Sequence, residues 1–197
     1  MSGNTAPCRI YYFRHGETLW SKSGRHTGST DIALTPEGEA ESRALAPRLA
    51  GVTFAHVFSS PRLRARQTCD LAGLGAKAEV DPEIAEWDYG DYEGLRSVEI
   101  RAQRPGWEIF RDGCPRGESP DEIVARVDRA IRRFRALSGN VAVFSHGHFG
   151  RVFGVRWLGM AVTQARHFAL SPASLSILGS DPARDEVEMM LAWNSVG

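Results

Sequence analysis

The chain has 197 residues, the size of one ordinary domain, and its 42% hydrophobic content allows a sizeable core without disulfide or metal staples. Lysine plus arginine and aspartate plus glutamate each total 24, so the formal net charge is zero. That balance excludes a non-specific nucleic-acid or membrane binder and leaves the distribution of charge as the informative quantity. Three cysteines, Cys8, Cys69 and Cys114, are odd in number and widely spaced without a CxxC pair. They read as reduced, structural thiols of a soluble cytoplasmic protein. No apolar stretch approaches the roughly 18 residues of a membrane span, and the first residues carry no apolar leader.

Residues 9–13 (RIYYF) form a short β-rich run that ends at Arg14-His15-Gly16, a strand followed by a turn. Thr35 and Pro36 open a helix as N-cap and first helical residue, with Ala40, Ala44, Leu45 and Leu49 at helical spacing. Residues 56–59 read as the next strand. Ser60-Pro61 then starts a helix that carries Arg62 in its first turn, followed by Arg64 and Arg66. Residues 78–80 form a further short strand. Ser119 and Glu122 make a capping box, with Pro120 first in the helix and a stripe of Ile123, Val127, Ile131 and Phe134 behind it. Residues 141–144 are a near-continuous apolar strand ending at Ser145-His146-Gly147, and residues 175–178 and 187–191 complete the sheet. Strands alternating with helices predict an α/β fold with a largely parallel sheet, in which ligands sit beyond the carboxyl ends of the strands. Two strands there end in a histidine, and a third leads into Arg62.

Those residue types suit phosphoryl transfer through nitrogen. An imidazole attacks phosphorus only when neutral, and neighbouring cations favour that form. Guanidinium forks also match the paired oxygens of a transferring phosphoryl group, so a cation cluster can supply the charge that Mg²⁺ supplies elsewhere. The site is therefore expected to work without metal or other cofactor. A metal bound by His146 and His148 is the weaker alternative, since no carboxylate or thiolate stands at ligand spacing.

Arg14-His15-Gly16-Glu17-Thr18 with Trp20 resembles the signature of the histidine phosphatase superfamily, in its phosphoglycerate-mutase-like branch. Thr27-Gly28, Asp31 and Leu34-Thr35-Pro36-Glu37-Gly38 resemble the family's next segment. Ser59-Ser60-Pro61-Arg62 through Thr68 resembles its second-arginine helix, Glu86-Trp87-Asp88-Tyr89-Gly90 with Glu93-Gly94 its acid loop, and Ser145-His146-Gly147 its second-histidine turn. The resemblance implies one domain across residues 1–197, a three-layer sandwich with the sheet between helices. It implies that His15 accepts the phosphoryl group, that Arg14, Arg62 and His146 hold its oxygens, and that Glu86 protonates the leaving oxygen. Asp88 competes for that last role. Ser21, Lys22, Thr27, Gly28, Arg66, Tyr89, Gly147 and His148 are the expected substrate contacts. Ser21 departs from the asparagine that many members carry.

Trp20-Ser21-Lys22-Ser23-Gly24, the run from Ser60 to Thr68, the run from Tyr89 to Gly94, and His146-Gly147-His148 resemble the sugar-bisphosphatase subgroup typified by sedoheptulose-1,7-bisphosphatase. This implies a small phosphorylated metabolite as partner, with Lys22 and Arg25 as candidates for a second phosphate. A homo-oligomer is left open. Arg64 reads as a solvent-facing helix residue, and Arg66 as divided between substrate contact and an ion pair. Trp20, Trp87, Tyr89 and Tyr92 read as pocket wall or core, and Trp157 and Trp193 as core. The competing functions are a phosphoglycerate mutase, a broad-specificity phosphatase, and a module that binds a phosphorylated ligand without turnover.

Overall fold

Residues 10–13 alternate between two interiors although all are apolar or aromatic. In the computed structural model, which describes residues 9–181 and 187–197, they belong to strand β1 (Arg9–Arg14). Ile10 and Tyr12 face one core cluster, Tyr11 and Phe13 the other. β4 (Asn140–Ser145) repeats the alternation, with Val141 and Val143 on the first side and Ala142 and Phe144 on the second. A strand buried on both faces has to be apolar throughout, which is why residues 141–144 show no polar alternation. Phe13 and Phe144 stack with ring centroids 4.4 Å apart.

With β2 (Phe54–Ser59), β3 (Glu79–Val80), β5 (Leu175–Asp181) and β6 (Val187–Ser195), these strands form a six-stranded sheet in the order β3-β2-β4-β1-β5-β6. The pairings β1–β4, β2–β4 and β2–β3 are parallel, while β5 and β6 join antiparallel at one edge. The expected largely parallel α/β sandwich is therefore present.

One face is covered by α7 (Pro120–Arg135), α8 (Gly147–Trp157) and the chain around α5 (Ser97–Gln103) and α6 (Ile109–Asp112). The other is covered by α3 (Leu45–Arg48) and α4 (Leu63–Leu71), alongside α2 (Pro36–Arg43). The short α1 (Leu19–Ser23) stands between β1 and α2 in the chain. The capping box at Ser119 and Glu122 is formed, and Ile123, Val127, Ile131 and Phe134 are buried.

Three local expectations need correction. The helix expected to run from Pro36 to Leu49 breaks into α2 and α3, because Pro47 has no N–H for the Arg43 carbonyl and its ring crowds that turn. Arg62 is the N-cap of α4, with extended backbone, rather than a residue of its first turn. The turn after Ser145 leads straight into α8, a helix the sequence reading passed over together with α1, α5 and α6. Trp157 lies in the core as expected, while Trp193 is half-buried against it.

Cys69 and Cys114 are free and buried, which pushes both thiols up to about 12; Cys8 lies outside the described residues. Among the described residues no helix is long and apolar enough to cross a membrane.

Candidate active site

Parallel pairing puts the carboxyl ends of β2, β4 and β1 at one edge, since Arg14 is in register with Ser145, and Ser59 with Phe144. The residues that follow are fused by the backbone. His15 N–H donates to the Ser145 carbonyl at 3.0 Å and Ser60 N–H to the Phe144 carbonyl at 2.9 Å. His15 and His146 therefore face each other, with ring centroids 5.3 Å apart. Gly16 has to be glycine, because a Cβ there would lie 2.4 Å from the Gly38 carbonyl oxygen and 2.7 Å from Ser42 Oγ.

His15 Nδ1 lies 2.8 Å from the Gly16 carbonyl oxygen. A carbonyl can only accept, so Nδ1 carries the proton and the neutral ring keeps its lone pair on Nε2. Burial, then the Arg64 and Arg14 cations, hold His15 well below the ordinary histidine range.

His146 is fully buried and also held well below that range, by burial first and then by Arg64, His15 and Arg62. Its Nε2 is 2.7 Å from Ser60 Oγ. Its backbone is gripped by the Tyr12 hydroxyl, which donates to the His146 carbonyl at 2.7 Å and accepts its N–H at 3.1 Å.

Arg14 donates to the Leu170 carbonyl through Nη1. Arg14 Nε, Arg62 Nε and His146 Nδ1 are buried and have no hydrogen-bond partner. An orphaned buried polar group costs about 1–3 kcal/mol. Arg14 brings one such group close to His15, and Arg62 brings another close to His146.

The reading of Arg64 as solvent-facing is overturned. Its side chain is fully buried and donates to the carbonyls of Thr27 (2.8 Å), Gly28 (3.1 Å) and Thr30 (3.0 Å). Glu93 holds the same loop from its amide side, accepting Gly28 N–H at 2.9 Å and Thr30 N–H at 3.0 Å. The loop that carries Thr27 into the cleft is thus clamped by a cation at its carbonyls and an anion at its amides.

Glu86 reaches the first turn of α8. One carboxylate oxygen accepts the N–H of Phe149 at 2.8 Å and of Trp87 at 2.9 Å, and the other accepts His148 N–H at 3.1 Å. Free amides at a helix N-terminus are a natural seat for a carboxylate. Asp88 is exposed, and its carboxylate accepts Gly90 N–H at 3.0 Å instead.

A cleft of about 260 Å³ is lined by Arg14, His15, Ser21, Thr27, Glu86, Tyr89, Gly147 and His148, which brings together eight of the expected site residues. Gly28 and Arg62 line an adjoining cleft that shares Glu86, and His146 sits buried behind both. Lys22 is drawn away to the surface by Glu17, 3.2 Å distant. Arg66 is exposed and lines neither cleft.

Arg25 lines the main cleft, as do His26, Ser97 and Arg151, which the sequence reading did not single out. Arg151 stands three residues after His148, so a helix drawn from Gly147 onward puts the two on one face. Tyr89, whose hydroxyl burial and Glu86 hold well above its ordinary range, keeps its proton and is hydrogen-bonded to His148 Nδ1 at 2.6 Å. Burial, then Arg151, His26 and Arg14, hold His148 well below the ordinary range, and burial lowers His26 to about 4. Among the described residues no three His, Cys, Asp or Glu side chains converge as a metal would need.

The family model of the histidine phosphatase superfamily (branch 1) matches residues 10–192. The chain belongs to that superfamily. Within it, the chain is 41% identical to an acid phosphatase of Mycobacterium tuberculosis, over 87% of this chain and 86% of that one. It is 38% identical to the sedoheptulose 1,7-bisphosphatase of Saccharomyces cerevisiae, over 78% of this chain and 69% of that one. A probable phosphoglycerate mutase, GpmB of Erwinia tasmaniensis, is 29% identical over 85% and 83%. Among solved structures, a functionally characterised open reading frame product of Mycobacterium tuberculosis superposes with a TM-score of 0.89 at 36% identity, covering 95% of this chain and 97% of that one.

Proposed function

We propose that this member of the histidine phosphatase superfamily hydrolyses a small phosphate monoester, favouring a sugar bisphosphate, through a phosphohistidine at His15. One observation carries the reading: a buried neutral imidazole with its lone pair on Nε2, beside buried nitrogens of Arg14 and His146 without partners. His15 Nε2 attacks phosphorus, the N–P bond forms as the P–O bond to the leaving group breaks, and Glu86 gives that oxygen its proton. Arg14, Arg62 and His146 hold the non-bridging oxygens, whose charge completes their hydrogen bonding. Water then attacks the phosphohistidine, the P–N bond breaks, and Glu86 takes the water's proton. No step routes through a metal.

Substrate preference rests on the far end of the cleft. Arg25 and Arg151 line it together with His15, giving a second anionic group two cations within the same space. The relatives named as an acid phosphatase and a sedoheptulose 1,7-bisphosphatase support hydrolysis of such substrates. Against a mutase stand the arginines after the acid loop, none of which lines the main cleft. Arg101 donates to the Trp107 carbonyl, and Arg104 and Arg111 both pair with Asp112. Ser21, Thr27, Tyr89, Gly147 and His148 complete the substrate contacts. The same reading takes residues 1–197 as one catalytic domain, cytoplasmic as the free buried thiols favour.

The test is phosphate release from a panel of sugar mono- and bisphosphates with EDTA present. Wild type releases phosphate undiminished by the chelator, His15→Ala releases none, and Glu86→Gln is slower by roughly 10²–10⁴-fold. Rapid exchange of 3-phosphoglycerate isomers in the presence of 2,3-bisphosphoglycerate, without phosphate release, would replace this reading by a mutase.

A further inference from the structure

The general acid has to point at the leaving oxygen, yet Glu86 sits on a loop after a single 3₁₀ turn (Pro82–Ile84) and has no helix or strand of its own to fix it. Its carboxylate is held by the amides of Trp87, His148 and Phe149, and its backbone by an ion pair that lines the adjoining cleft beside Arg62. Arg126 of α7 forms a fork with Glu118, Nε to Oε1 at 2.7 Å and Nη2 to Oε2 at 2.6 Å, with both side chains largely buried. The remaining donors of Arg126 reach the acid loop itself: the carbonyls of Glu83 (3.0 Å), Ala85 (2.7 Å) and Glu86 (3.2 Å). Glu118 completes the grip from the other side. Its carboxylate accepts Asp88 N–H at 2.9 Å, its carbonyl accepts the Trp87 indole N–H at 2.9 Å, and its own N–H donates to the Asp88 carbonyl at 2.9 Å. The Arg126 guanidinium also lies over the ring of Phe149, whose N–H binds the Glu86 carboxylate.

We propose that Arg126 and Glu118 are positioning residues for the proton donor, fixing the backbone on both sides of Glu86 so that its carboxyl faces the leaving oxygen. The proposal rests on Glu86 being the acid. Its signature is selective, because a proton is needed only where the departing oxygen is a poor leaving group. A sugar or alkyl alkoxide requires it, whereas p-nitrophenolate is stable as the anion. A clamp that merely supported the fold would affect both substrates alike.

The experiment compares kcat/KM for p-nitrophenyl phosphate with that for glycerol 2-phosphate. This parameter covers the steps up to release of the alcohol and so excludes the later role of Glu86 as base. Arg126→Lys keeps the charge but loses the fork, and Glu118→Gln keeps the shape but loses the charge. Misplacement of a catalytic group by about 1 Å costs on the order of 10²-fold. The nitrophenyl-to-alkyl ratio of kcat/KM should therefore rise roughly 10- to 100-fold in each variant. Glu86→Gln measured beside them should raise the same ratio further. An unchanged ratio in the two clamp variants, with the ratio raised in Glu86→Gln, would overturn the clamp alone. An unchanged ratio in Glu86→Gln would overturn the acid assignment on which it rests. Should Arg126→Lys fail to fold, as circular dichroism would show, the near-isosteric Glu118→Gln decides the question.

Discussion

His15 draws its chemistry from its surroundings more than from its own side chain. An exposed imidazole titrates near pH 6.5 and spends much of its time protonated in mildly acidic solution. Here burial and the Arg64 and Arg14 charges disfavour the imidazolium, and the Gly16 carbonyl selects the tautomer. The folded protein therefore keeps a competent nucleophile on the acid side of neutrality. In an NMR titration of the ring nitrogens, the His15 midpoint should lie well below the 6.5 of a free histidine. A midpoint near 6.5 would contradict the electrostatic account. Arg64 belongs to this account as well, since a residue two positions from Arg62 on a helix turns inward to hold three carbonyls 34 to 37 residues earlier in the chain. Nothing in the local pattern of residues 60–68 distinguishes it from a solvated arginine.

Elements position these side chains through their ends and contact faces. The first residues after β1, β2 and β4 supply His15, Ser60 and His146, and α8 begins at the last of these with its free amides turned toward Glu86. α8 can approach β1 because Gly150 has no side chain. A Cβ there would stand 2.5 Å from the Tyr12 ring and 2.6 Å from its hydroxyl oxygen, the atom that grips the His146 backbone. Gly150→Ala should therefore lower stability by about 1–3 kcal/mol, as overpacking does. Because Tyr12 must move, turnover should fall with it. Thermal unfolding and phosphate release measured together check this, and an unchanged melting point would show that the helix yields freely. The strand ends and the capping box of α7 were readable because caps, prolines and apolar periodicity act within four residues. The break between α2 and α3 was open to the same reasoning, through Pro47. α8 is hard to read from the chain because Gly147, Gly150 and Gly154 give its sequence a low helix propensity.

Over the whole molecule, the neutral imidazoles make stability depend on acidity. His15, His26, His146 and His148 all have folded values below the unfolded value of 6.5. Below about pH 6.5 the unfolded chain takes up protons that the folded chain refuses, so stability rises with pH in that window and falls on acidification. For His26, lowered to about 4, the loss between those limits is on the order of 3 kcal/mol. The urea midpoint should change little from pH 7.5 to about 6.5 and then drop towards pH 5, and His26→Gln should make that slope shallower. A flat midpoint across that range would show that these rings take up protons alike in the folded and unfolded chains.

The family, the α/β class and the chemistry-bearing motifs could be read from the chain, because each is written in a few adjacent residues whose spacing is preserved whatever surrounds them. The substrate end of the cleft could not. Arg151 and His26 enter it and Lys22 leaves it for Glu17, through contacts that join distant parts of the chain. Tyr12 reaches His146 across 134 positions and Glu86 reaches Phe149 across 63. Such contacts form only once the sheet has brought the strand ends together, and local periodicity holds no record of which face of a loop will then be turned inward.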